Sequence, residues 1–89
     1  MKGYLYILKS LKNNRYYIGS STDWERRFKE HNDGKSPYTR TTRPWMIVYL
    51  KEYEIIDEAR REELRLKKMK SRKIIEELID SNSAHSSAG

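Results

Sequence analysis

Residues 4–9 read Tyr-Leu-Tyr-Ile-Leu-Lys and residues 16–20 read Tyr-Tyr-Ile-Gly-Ser, with Lys12-Asn13-Asn14-Arg15 between them. The first run is continuously apolar and aromatic and of strand length, which predicts a strand covered on both faces. Asn tolerates positive φ and makes local side-chain bonds, so residues 12–15 read as a turn and the two strands as a hairpin. Gly19, near the end of the second strand, permits close approach by another group or marks a bulge.

The chain that follows alternates helical and extended patterns. Thr22-Asp23-Trp24-Glu25 fits a capping box with Thr22 as N-cap, and Gly34 is a natural left-handed terminator for the helix it starts. Trp24, Phe28 and His31 fall at helical spacing and mark an inward face, with Arg27 on the same stripe. Residues 35–43 contain Pro37 and no periodicity, and read as an exposed loop. Trp45-Met-Ile-Val-Tyr-Leu50 is the strongest strand in the chain. Asp57 is expected to cap a second helix carrying Ala59, Glu62, Glu63, Leu66 and Met69, with Ile56 as a hydrophobic staple. Ser71 is expected to cap a last helix with Ile74, Ile75, Leu78 and Ile79 inward. The reading is one domain over residues 1–80, followed by a Ser/Ala-rich disordered tail over 81–89.

Composition narrows the function classes. A chain of 89 residues is short enough to bury only about 60% of its unfolded surface, so one modest core is expected. There is no cysteine, hence no disulfide framework and no thiolate metal site. No apolar run approaches a membrane span, no secretory signal is expected, and a cytoplasmic address fits. Lys and Arg number 19 against 13 Asp and Glu, a net charge of +6. Such an excess points to a polyanionic partner, above all nucleic acid. Residues 65–73 carry six cations and no acid.

Several side chains carry potential chemistry, each with a plainer reading beside it. Glu63 interrupts the apolar stripe of Ala59 and Leu66, so it needs a cation, a set of donors or a metal. The plainer reading pairs it with a nearby Lys or Arg. Arg27 and His31 share one helix face at i, i+4. Arg27 offers a donor fork suited to phosphate oxygens, and His31 titrates near neutrality. Their plainer readings are an ion pair with Asp23 or Glu30, and a core histidine. Tyr6 and Tyr17 are sheet residues by default, but a neighbouring cation would favour phenolate and make a general base. In the loop, Lys35, Arg40 and Arg43 with Tyr38 and the hydroxyls of Thr39, Thr41 and Thr42 suit a phosphate backbone held without base reading.

The order of these residues resembles the GIY-YIG nuclease superfamily, from Tyr4 to about Ile79. Tyr4-Leu5-Tyr6 stands where the first family segment falls, with Tyr4 replacing the usual Gly, and Tyr17-Ile18-Gly19 is the second segment intact. Arg27 lies ten residues past Tyr17, as the family arginine does. The segments around Glu30-His31-Asn32, Tyr38-Thr39-Arg40 and Arg43-Pro44-Trp45 look like the small stand-alone members of the YhbQ-like type. Glu58-Ala59, Glu63 and Lys67 match their metal-binding helix.

The resemblance implies an α+β fold, a three-stranded antiparallel sheet flanked by helices. It implies a DNA endonuclease using one Mg²⁺ or Mn²⁺ held by Glu63, and the substrate expected is structured or single-stranded DNA, cut without strong sequence specificity. Tyr17 would be the base, assisted by Tyr6; Arg27 would steady the scissile phosphate and His31 would assist proton transfer. Lys35, Tyr38, Arg40, Arg43 and Lys67 would hold the nucleic acid, DNA ahead of RNA. The Asn that several family nucleases carry a dozen residues past the metal Glu is missing, since this region reads Ile74-Ile75-Glu76. The rival expectation is therefore a module that binds nucleic acid without cutting it, recruited to a larger DNA-repair partner.

Overall fold

In the computed structural model the backbone is described for residues 1–88 and side chains through Ser81. In chain order the elements are β1 (Gly3–Ser10), β2 (Tyr16–Ser21), α1 (Trp24–Asp33), a 3-10 turn (Arg40–Thr42), β3 (Trp45–Tyr53), α2 (Ile56–Met69) and α3 (Arg72–Ala88). The strands form an antiparallel sheet in the order β2-β1-β3. The fold is therefore the α+β sheet flanked by helices that the resemblance implies. The tail expected over 81–89 falls, from Asn82 on, on side chains outside the described residues.

β1 is the central strand, and its continuous apolar run follows from that position, because both its faces are covered. Leu5 and Ile7 point to one side, into an aliphatic core with Ile18, Leu66 of α2 and Ile75 of α3. Tyr6 and Leu8 point to the other, where they meet Trp45, Tyr17, Trp24 and Phe28. The hairpin turn is built as its asparagines suggest, with Asn14 at φ 63°. Ser10 holds it: its Oγ accepts from the N–H groups of Lys12 and Asn13 and donates to the carbonyl of Thr42 at 2.5 Å.

Helix boundaries bear out two expectations and correct two. Gly34 ends α1 at φ 82°, in the left-handed region glycine tolerates. Ser71 Oγ accepts from Ile74 N–H at the start of α3. At α1, however, the cap is Asp23 rather than Thr22: its carboxylate accepts from Arg26 N–H at 3.2 Å. At α2 no side chain caps the helix, and Ile56 lies inside it. The Ile56 N–H donates instead to the Met1 carbonyl at 2.9 Å, so a long-range backbone contact does what Asp57 was expected to do. Among the described residues no helix is long and apolar enough to cross a membrane.

Candidate functional site

The face of the sheet under α1 gathers four of the five expected catalytic side chains. Tyr6 rises from β1, Tyr17 from β2, and Arg27 and His31 descend from α1. Gly19 makes room for Tyr6: a Cβ there would stand 2.5 Å from Tyr6 Cζ. Close approach, not a bulge, is what this glycine serves. The Tyr17 and His31 rings lie 4.7 Å apart at 59°, and Tyr17 meets Trp45 edge-on at 6.3 Å.

The interior of this cluster is sealed. Tyr6 is 1% exposed and His31 0%. His31 Nδ1 shares a 2.7 Å hydrogen bond with Thr39 Oγ1, and its Nε2 faces the Tyr6 hydroxyl at 3.5 Å. Thr39 in turn accepts from the Trp45 indole N–H at 2.9 Å through its carbonyl. Asn32 clamps the Trp45 backbone from both sides, accepting from its N–H at 2.6 Å and donating to its carbonyl at 3.1 Å. Burial pushes the Tyr6 phenol pKa up, and the opposing pull of Arg27 does not overcome it. Burial, assisted by the Arg27 charge, pulls the His31 imidazole below its ordinary 6.5, so it is neutral at neutral pH. The expectation that Arg27 would ready Tyr6 as a base is thus reversed by desolvation.

Arg27 is half-exposed, and its guanidinium donates to Glu30 at 2.8 Å. It lines a concavity with Glu30, Lys35, Ser36 and Pro37. Glu63, on α2, lies beside a different concavity with Ser20, Arg60 and Leu64, and its charge reaches Tyr6. Both carboxylate oxygens are engaged: one accepts from the Ser20 hydroxyl, the other from Lys67 Nζ at 2.5 Å. Lys67 Nζ also lies 5.8 Å from the centre of the Tyr17 ring, so one ammonium group neighbours both Glu63 and Tyr17. For Arg27, His31 and Glu63 the plainer sequence reading of each is the arrangement observed.

These contacts, with the surrounding residues, correct the hydrolytic expectation. Among the described residues no group of three or more His, Cys, Asp or Glu side chains could hold a metal ion. Glu63, the expected metal ligand, has no acidic companion there and is already neutralised by Lys67. Glu63 alone would hold a divalent ion here, with water and phosphate oxygens completing its shell. His31, the presumed proton carrier, is buried, whereas Tyr17, the presumed base, is half-buried.

The loop of residues 35–43 is less uniform than its composition suggests. Lys35, Tyr38, Arg40 and Arg43 are exposed, Tyr38 by 88%. Thr39, however, is 1% exposed and is the hinge of the buried network. Asn32 and Ser20 are positions the sequence reading did not assign to the site, and Thr39, whose hydroxyl was expected to meet phosphate, is turned inward to His31 instead. A buried hydroxyl in a patternless loop leaves no local signal; Ser20, next to Gly19 on the second strand, left only its position.

Residues 2–75 match the family model described as the GIY-YIG catalytic domain. A UPF0213 protein of Staphylococcus haemolyticus is 40% identical over 80 residues, covering 85% of this chain and 96% of the relative. One from Streptococcus pneumoniae is 38% identical, covering 91% of this chain and 81% of its own. The solution structure of a UPF0213 protein from Bacillus halodurans superposes with a TM-score of 0.57 at 37% identity, over 90% of this chain and 84% of that one.

Proposed function

Because this chain belongs to the GIY-YIG family, with UPF0213 proteins as its relatives, we propose that it is a nucleic-acid-binding module that holds the phosphate backbone without cutting it. The observation that carries this reading is the contrast within one loop. Thr39 and the carbonyl of Thr42 anchor it to the protein interior, while Lys35, Tyr38, Arg40 and Arg43 stand in solvent. A fixed frame that presents cations and one flat aromatic ring suits sequence-independent contact with a sugar-phosphate chain. Lys67, beside Tyr17, extends the cationic surface past the edge of β2. The nucleic acid proposed is DNA ahead of RNA, and a larger DNA-repair partner is proposed as the setting in which the module acts.

The test is fluorescence anisotropy with labelled oligonucleotides across a salt series. The logarithm of the affinity is expected to fall linearly with the logarithm of salt concentration. Lys35→Gln and Arg40→Gln should each lower that slope by about 1. Chelation with EDTA should leave the affinity unchanged, and Mg²⁺ or Mn²⁺ should yield no products. Salt-independent binding, or metal-dependent cleavage abolished by Glu63→Ala, would overturn the proposal.

A further inference from the structure

A second concave surface lies on the far side of Lys67, where β2 begins and α2 gives way to α3. Its volume is about 300 Å³. The floor is apolar, formed by Ile18, Leu66 and Ile75, all at most 9% exposed. The rim is cationic: Arg15, Lys67, Lys70 and Arg72 surround it, and no carboxylate lines it. Arg72 lies 4.7 Å from the centre of the Tyr16 ring. Its guanidinium is fixed there by Glu76 at 3.2 Å and by the carbonyl of Asn14 at 3.1 Å. Lys70 is the left-handed residue, φ 49°, at which the chain turns between the two helices. Among the described residues Arg15 and Lys70 take part in no ion pair.

We propose that this cleft receives a single unpaired nucleotide, its base over the apolar floor and its phosphate on the cationic rim. A surface that only gathers phosphates has no use for an apolar floor, and a groove for an apolar side chain has no use for Arg15 and Lys70, which stand without ion pairs beside Lys67 and Arg72, paired with Glu63 and Glu76. A nucleotide carries both halves, a flat π-face and a charge, in one unit. The volume sits at the lower end of small-molecule pockets and suits one such unit. A base within a duplex is paired and stacked and cannot enter. The cleft therefore confers a preference for strand ends, flaps or single strands over blunt duplex. The inference rests on the nucleic-acid reading above for its biological setting, but the cleft itself can be probed without it.

Two measurements on the full chain test the proposal. In NMR titrations of ¹⁵N-labelled protein, thymidine 5′-monophosphate should shift the amides of residues 15–18 and 66–72. Thymidine alone and inorganic phosphate alone should do so much more weakly. In anisotropy at fixed salt, a duplex with a three-nucleotide overhang should bind about five-fold more tightly than the blunt duplex. Arg15→Gln and Lys70→Gln, both exposed positions, should bring the overhang down to the blunt level while circular dichroism stays unchanged. Equal binding of blunt and overhang duplexes overturns the cleft and leaves the backbone-binding reading standing. Inorganic phosphate or an acidic peptide matching the nucleotide also overturns it, as an anion site only. Nucleotide shifts confined to the cleft, with no oligonucleotide bound, would support the cleft and end the broader reading.

Discussion

The two faces of the sheet are built from different materials. Under α2 and α3 the contacts are aliphatic: Leu5, Ile7, Ile18, Leu66 and Ile75. Under α1 the same strands present Tyr6 and Tyr17 to a histidine, a threonine and a tryptophan joined by hydrogen bonds. The aliphatic face is held by area removed from water, which is non-directional and tolerant of small shifts. The polar face is held by specific partners, and each one lost leaves another unsatisfied in a dry place. Tyr6 and His31 are part of this buried hydrogen-bonded network.

Three changes would break or sharpen the contrast. Leu66→Ala should cost the most, about 2–5 kcal/mol, because Leu66 is 1% exposed and its removal opens a cavity between sheet and helices. Chemical denaturation should show a lower midpoint with an unchanged slope. Thr39→Val, nearly isosteric, should cost about 1–3 kcal/mol by leaving His31 Nδ1 without its partner. If Thr39→Val were neutral, the polar face would be held by packing alone.

The smallest effect is on pH dependence. His31 binds its proton less readily in the folded state than in the unfolded one, chiefly because it is buried. Its contribution is therefore fully present above the unfolded pKa of 6.5 and is lost as pH falls below it. Melting temperatures at pH 5 and pH 7.5 should differ, with the lower value at pH 5, and the difference should shrink in His31→Gln. An equal difference in the variant would show that other groups carry it.

The hairpin, the third strand and the end of α1 at Gly34 were all readable from local pattern. Glu63 and Lys67 lie at i, i+4, so their ion pair was readable too, though not its precedence over a metal. The caps of α1 and α2 were misjudged for different reasons. Thr22 and Asp23 are both good caps, and only the entry angle of the chain chooses between them. The first turn of α2 is satisfied from Met1, which no local pattern could announce.

By itself the sequence determined the order of strands and helices, the two-faced burial of β1 and the excess of positive charge, because periodicity and composition act over a few residues. The tertiary structure alone decided that Thr39 is buried, that burial pushes the Tyr6 phenol pKa up, and that Ser20 joins Lys67 on the Glu63 carboxylate. Those outcomes depend on which groups meet across 8 to 43 positions of chain, and on how much water the meeting excludes.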